Sequence, residues 1–257
     1  MKPLSTNSLF IGKVANYLTR VDSTNAFASS LLAKSTPIEG TVIYTDDQYA
    51  GRGQIGSKWE SVVGKNIIMS VILQPQFLPL RYQFKLNQVV ALAVHDLLSK
   101  YIIPPVHLAV KWPNDIYIKE KKIGGILIEN KLRGTTLANS VVGIGLNINQ
   151  NQFPSDLPNP TSLLLETGHE QDVYEMIGRL CECLEQRYLQ LKGQHYAALD
   201  EAYLNALYRF QTWGDFEITA TKQRIRGKII GIASDGKLQI ETSRKRFEFY
   251  FKEVAFL

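Results

Sequence analysis

Four segments carry side chains of the kinds that hold and activate small anions. Residues 46–59, Asp-Asp-Gln-Tyr-Ala-Gly-Arg-Gly-Gln-Ile-Gly-Ser-Lys-Trp, place Gly51, Gly53 and Gly56 around Arg52. Glycines so spaced let backbone N–H groups approach an anion, and the arginine among them can grip a phosphate or carboxylate through two parallel hydrogen bonds. The spacing is GxGxxG, but neither the helix nor the ribose-binding acid of a dinucleotide fold follows. The Gly-Lys-Ser/Thr of a Walker loop is missing as well. A flexible connection has the same composition. The second segment, Lys111-Trp112-Pro113-Asn114-Asp115, closes an otherwise apolar run, with Lys111 on the face opposite Val106, Leu108 and Val110. Its ammonium group either reaches solvent at a strand end or stands against a negatively charged reacting group.

The third segment is Val141-Val142-Gly143-Ile144-Gly145-Leu146-Asn147-Ile148-Asn149. Alternation sends Val142, Ile144, Leu146 and Ile148 to one face and Gly143, Gly145 and Asn147 to the other. Two glycines on one strand face mark a place where something flat, a ligand or a packed helix, lies against the backbone; Gly124-Gly125 repeats the theme. In the fourth, Asp22-Ser23-Thr24-Asn25 precedes Ala26, Phe27, Leu31 and Leu32, as a helix N-cap does, and its side chains can also bind a small polar ligand.

The elements that position these segments follow from periodicity. Residues 40–46 and 66–73 are β-branched runs bounded by Gly, Asn and Pro, and read as strands. Further strands are expected at Val106–Lys111, Ile116–Ile118, Ile123–Glu129 and Val141–Ile148, with a hairpin turn over Lys119–Lys122. Leu86, Val90, Ala93, Val94 and Leu97 repeat at helical spacing, as do Val173, Ile177, Leu180, Leu184, Tyr188 and Leu191, and then Leu199, Tyr203, Ala206 and Phe210. After Trp213-Gly214 the pattern is wholly strand-like, around Phe216–Thr221, Arg226–Ile232, Leu238–Glu241 and Phe247–Phe251, with a hairpin signal at Asp235-Gly236. Strands and helices followed by an all-β tail predict an α+β domain and a small barrel.

Composition narrows the class. The 257 residues are 45% hydrophobic and 21% charged, which excludes a disordered or collagen-like chain. No apolar run approaches the roughly 18 residues of a membrane span, and residues 1–10 lack a signal-peptide core, so the cytoplasm is the expected location and no membrane is expected as a partner. Cys181 and Cys183 sit at i and i+2 of a helical pattern, where a disulfide or shared metal site is unnatural, and read as packing residues. The four histidines have no ligand-like spacing. Of the net charge of +5, +3 lies in residues 213–257, where nine Lys and Arg face six Asp and Glu. Nucleic-acid binding through this tail is the rival reading from another class; Arg244-Lys245-Arg246, its densest basic run, reads as a solvated hairpin.

Taken in order, Ser-Thr-Asn, Gly-Arg-Gly with its trailing Trp, Lys-Trp-Pro-Asn-Asp, Lys-Ile-Gly-Gly-Ile-Leu-Ile-Glu and Gly-Ile-Gly-Leu-Asn-Ile-Asn resemble the biotin protein ligase family across residues 22–149. The β tail, with Gly231–Leu238, resembles that family's SH3-like C-terminal domain. The resemblance implies a mixed-sheet catalytic domain of the biotin/lipoate ligase type over residues 1–212 and an SH3-like barrel over 213–257. It implies that biotin's carboxylate attacks the α-phosphate of ATP to give biotinyl-5'-AMP. A lysine of a biotin carboxyl carrier protein domain then takes the biotinyl group. Mg2+ accompanies ATP on its phosphates, with no protein metal site. A homodimer is possible.

Carried over to this chain, the resemblance assigns biotin to Ser23, Thr24, Asn25, Gln48, Arg52, Gly53, Gln54, Lys111, Gly125, Gly143 and Gly145. ATP and the adenylate fall to Arg52, Lys111, Asn114, Lys122 and Asn147. Lys111 is the expected main electrostatic catalyst, with Arg52 beside it, and Trp59 is expected in the core rather than against adenine. The chain departs from the family pattern at Gln54 and Ser57, where arginines are usual; unless Lys58 substitutes, the grip on the adenylate is looser. Only 22 residues precede Ser23, too few for a helix-turn-helix domain, so no specific DNA is expected as a partner. A lipoate-type ligase is the nearest enzymatic alternative; the Lys-Trp-Pro-Asn-Asp segment and the tail argue for biotin.

Overall fold

A computed structural model describes residues 4–54 and 56–257. Residues 1–3 of the N-terminal stretch and Ile55 of the glycine loop lie outside the described residues.

The first sheet uses seven strands: β1 (Ala15–Val21), β2 (Val42–Gln48), β3 (Ile67–Leu73), β4 (Leu108–Lys111), β5 (Asp115–Ile118), β6 (Lys121–Arg133) and β7 (Thr136–Leu146). Their order is β1-β2-β3-β7-β6-β5-β4, with β1 and β2 parallel and every other pair antiparallel. The period of two separates the faces. Val42, Tyr44, Val71, Leu73 and Val142 enter the main core, while Ile43, Ile72 and Val141 enter a small cluster on the other side with Ala28. Three helices build the main core: α2 (Phe84–Leu98), α4 (Val173–Lys192) and α5 (Tyr196–Asn205); α3 (Leu163–Thr167) is a single short turn. The small cluster is covered by α1 (Thr24–Lys34), which is capped by Ser23 as expected. Being only 11 residues long, α1 covers Ser70 but leaves the sheet face over Gly143 and Gly145 partly open.

Cys181 and Cys183 are free thiols packed in the main core, and burial pushes the Cys181 thiol up to about 12, so it carries no thiolate at neutral pH. Two expectations shift. The last helical repeat runs to Phe210 in sequence, but α5 stops at Asn205 because Ala206 O and Tyr208 N hydrogen-bond to the backbone of Val110, at 2.8 and 2.9 Å. The strand expected from Val106 starts at Leu108. Periodicity missed β1, a sheet-edge strand whose faces are both half covered and therefore do not alternate cleanly.

The tail forms β8 (Trp213–Ile218), β9 (Arg224–Ile232), β10 (Leu238–Thr242), β11 (Arg246–Phe249) and the three-residue β12 (Val254–Phe256), an antiparallel sheet in the order β11-β10-β9-β8-β12. The expected Asp235-Gly236 turn joins β9 to β10, with Gly236 at φ +92°. This turn is also the docking point on the larger sheet. Trp112 Nε1 donates to Gly236 O at 2.9 Å, and a Cβ on Gly236 would stand 2.6 Å from the Phe84 ring. The basic run lies on the exposed β10–β11 turn, where Arg246 pairs with Glu241. No helix among the described residues is long and apolar enough to cross a membrane.

Candidate functional site

A cavity of about 140 Å3 opens on the α1 face of the large sheet, where three pieces of backbone converge. The first is the start of α1, held against the end of β2. Thr24 N donates to Gln48 Oε1 at 2.8 Å, which turns the Gln48 amide toward the α1 N-terminus. The second is the glycine stripe of β7, in register with β3 so that Gly143 faces Ser70 and Gly145 faces Ile68. The stripe admits flat groups, and part of what it admits belongs to the chain itself. A Cβ on Gly143 would lie 2.4 Å from Asn25 Oδ1, and one on Gly145 2.5 Å from the Trp59 indole.

The third piece is the glycine loop, folded back as a tight hairpin. Trp59 N donates to Gly51 O, Gly53 N donates to Ser57 O, and Arg52 bridges Lys58. Gly51 is required here, since a Cβ would meet the Trp59 carbonyl at 2.3 Å. Arg52 is exposed and has no ion-pair partner among the described residues, so its guanidinium is available to an anion. A second, more open hollow of about 520 Å3 shares Arg52, Gly53, Ser57, Lys58 and Trp59 with the first.

The far wall belongs to β5 and β6. Lys122 Nζ pairs with Asp115 at 2.7 Å beside Gly125, where even a Cβ would meet both only at an ordinary 3.5 Å contact. The backbone of Lys122 is tied to the 159–161 segment by hydrogen bonds at 2.8 and 2.9 Å, so its strand is anchored on two sides. The Asn114 amide donates to Ile126 O at 2.6 Å. The charged lining is Arg52, Lys58 and Lys122 against one carboxylate, Asp115, a balance that favours an anionic ligand.

Of the site residues expected from sequence, Ser23, Thr24, Asn25, Gln48, Arg52, Gly53, Gln54, Asn114, Lys122, Gly125, Gly143 and Gly145 line this cavity. Lys111 and Asn147 do not. The Lys111 ammonium lies over the rings of Tyr117, Phe256 and Tyr208, with centroids at 4.7, 5.1 and 5.9 Å, and donates to the Tyr117 hydroxyl at 3.2 Å. The strand parity was read correctly. Tyr117 comes from the next strand, β5, but Tyr208, after α5, and Phe256, on β12, are rings that sequence spacing could not place beside it. Lys111 is thus a clamp between the two sheets. Lys111→Ala is expected to leave any reaction in the cavity within about threefold of wild type. It is also expected to cost about 1–2 kcal/mol of stability, read from a denaturant midpoint. A loss of reaction rate at full stability would contradict this.

Asn147 lies one residue past the end of β7, so strand alternation no longer aims it. Its amide donates to Thr161 O at 3.0 Å while its own N–H bonds Ile123 O, splicing the Lys122 strand to the neighbouring loop. Trp59 is a wall of the cavity and not core; its Nε1 is buried with no hydrogen-bond partner among the described residues. Sequence reasoning also passed over Ser70, Glu129, Asp115 and Phe251. Ser70 was detectable as the lone hydroxyl inside the apolar run 67–73. Asp115 was quoted in its motif without a role, and Phe251 comes to the cavity from the second sheet, which only tertiary structure shows.

Among the described residues no group of three or more His, Cys, Asp or Glu is placed to hold a metal ion. One carboxylate on a cationic wall fits a Mg2+ carried mainly by phosphate oxygens, with Asp115 as its only protein carboxylate, and does not fit a dedicated protein cage.

The model of the biotin/lipoate A/B protein ligase family matches residues 17–147. A Bacillus subtilis protein, the bifunctional ligase/repressor BirA, is 30% identical over 237 residues, which cover 91% of this chain and 71% of that protein. The biotin–[acetyl-CoA-carboxylase] ligase of Paracoccus denitrificans is 33% identical over 192 residues, 73% of this chain and 78% of its own. Among solved structures, the biotin protein ligase of Aquifex aeolicus in complex with biotin and ATP superposes with a TM-score of 0.77 at 26% identity, covering 95% of this chain and 98% of that one.

Proposed function

Because the chain belongs to the biotin/lipoate A/B protein ligase family, we propose that its cavity binds biotin and the α-phosphate of ATP, and that Lys122 is the cation standing between them. The enzyme is a biotin ligase that uses ATP. A biotin carboxylate oxygen attacks the α-phosphorus, the bond from that phosphorus to the bridging oxygen breaks, and pyrophosphate leaves. In the second step the ε-amine of a carrier lysine attacks the acyl carbon, AMP departs and the amine loses a proton. We assign the carrier lysine to a biotin carboxyl carrier protein domain of a carboxylase. We also assign the catalytic part to residues 1–212 and the accessory sheet to 213–257.

The observation that carries the reading is one wall. Neutral amides and hydroxyls come from the α1 start and the end of β2, and cations from the glycine loop and β6, matching a ligand with a polar uncharged ring and an anionic tail. Both reactants of the first step are anions, so the enzyme must hold positive charge in place beforehand; positioning and electrostatics supply the catalysis, and no enzyme nucleophile is needed. Arg52 would close the loop over the acyl phosphate. Lys58 occupies the loop end where Gln54 and Ser57 bring no charge. Mg2+ would supply further neutralisation of the phosphates, and Asp115 is the cavity carboxylate that would hold it.

The test is biotin-dependent exchange of labelled pyrophosphate into ATP, with lipoate run in parallel. Exchange with biotin and none with lipoate is expected; exchange with lipoate alone would overturn the assignment.

A further inference from the structure

Beneath the cavity floor runs a chain of hydrogen bonds whose direction is set from outside it, by Glu129. Asn25 Nδ2 lies 2.8 Å from Glu129 Oε2 and 3.3 Å from Leu127 O. A carboxylate and a backbone carbonyl only accept, so both amide hydrogens of Asn25 are committed there and Oδ1 must face the other way. Ser70 Oγ, on a fully buried residue, sits 2.6 Å from that Oδ1 and 2.8 Å from Thr24 Oγ1. An amide oxygen cannot donate, so the single hydroxyl proton of Ser70 goes to Asn25. Ser70 Oγ then accepts from Thr24 Oγ1–H. Gln48 Oε1 is the longer alternative for that proton, at 3.3 Å, and is already engaged by Thr24 N–H. Every proton in the series Thr24 to Ser70 to Asn25 to Glu129 therefore points away from the cavity.

We infer that Glu129 is a positioning residue that fixes Thr24 Oγ1 as a hydrogen-bond acceptor toward the ligand, so that this wall selects a ring bearing N–H donors. The inference rests on the proposed reading of the cavity, where the ligand's ureido ring carries such donors and a dithiolane ring carries none. Glu129 touches no ligand. Its carboxylate acts two residues away through Asn25, whose amide is wedged over Gly143 and has no room to rotate freely.

The experiment is pyrophosphate exchange with wild type, Glu129→Ala, Glu129→Gln and Ser70→Ala, each checked for folding by thermal melting. Glu129→Ala and Ser70→Ala are expected to raise KM for biotin by roughly tenfold, the scale of one neutral hydrogen bond, with KM for ATP and kcat nearly unchanged. Glu129→Gln, whose Oε1 still accepts from Asn25, is expected to restore most of the loss. A biotin KM within twofold of wild type in folded Glu129→Ala and Ser70→Ala would overturn the inference while leaving the proposed function standing. So would a parallel rise in both KM values, or a failure of Gln to rescue, because either assigns Glu129 a merely structural part. If Glu129→Ala does not fold, Ser70→Ala and Glu129→Gln decide the matter. Absence of biotin-dependent exchange in the wild-type chain would overturn the functional reading, and the inference with it.

Discussion

Lys122→Ala is expected to lower biotin-dependent pyrophosphate exchange by about two to three orders of magnitude, some 3–4 kcal/mol of barrier, in a protein that remains folded. The size follows from what the group does. Two anions must meet at one point, and a half-buried ammonium beside them acts in surroundings that screen it less than water does. Lys122 has only about a third of its side chain exposed, and among the described residues its single ion-pair partner is Asp115 at 2.7 Å. The ground state holds that pair; the developing charge on the α-phosphate competes for the same ammonium, so the interaction strengthens as the reaction proceeds. Exchange rates at saturating biotin and ATP measure the effect. Lys122→Arg keeps the charge but moves it outward on a planar fork, and should recover only part of the rate. A rate within threefold of wild type in Lys122→Ala would remove this lysine from the chemistry. Paired with Lys111→Ala, the experiment separates Lys122 from the lysine that the sequence put forward as the main catalyst.

Gly143→Ala is expected to weaken biotin binding more than tenfold, over 1.4 kcal/mol, as read by titration calorimetry. Two effects of opposite sign compete. Replacing glycine in a strand stabilises by about 0.4–1 kcal/mol through the unfolded chain, whereas forcing a methyl group into occupied space costs about 1–3 kcal/mol. At Gly143 the new Cβ would stand 2.4 Å from Asn25 Oδ1. Asn25 cannot simply swing aside, because Ser70, Leu127 O and Glu129 hold its amide. The steric term therefore wins, and the displaced amide disturbs the ligand wall. Gly125→Ala is the contrast: its nearest neighbours stand at 3.5 Å, so it should be tolerated far better. Equal biotin affinity in Gly143→Ala and wild type would show that the amide is not part of the binding wall.

What was legible in the sequence, and what was not, divides along a physical line. The α+β architecture, the Ser23 cap, the Val142–Leu146 alternation and the Asp235-Gly236 turn all follow from local rules: period, capping and turn chemistry act between residues a few positions apart. Twelve of the site residues that the family resemblance implied line one cavity, several of them on the glycine loop and on turns whose facing no local period determines. The errors come where neighbours distant in sequence decide. Lys111 was aimed by parity, but Tyr208 and Phe256, about a hundred residues or more away, join the nearby Tyr117 in holding it. Asn147 follows a strand that has already ended, and Trp59 is brought out of the core by a loop closing on Gly51. The local pattern by itself determined which residue types were available to hold an anion and the elements carrying them; adenylating chemistry entered through the family resemblance. Only the packing of the second sheet against the first, and the register of β5 with β6, decided which of two lysines lines the cavity. A side chain long enough to reach several partners goes to the one that tertiary structure brings closest.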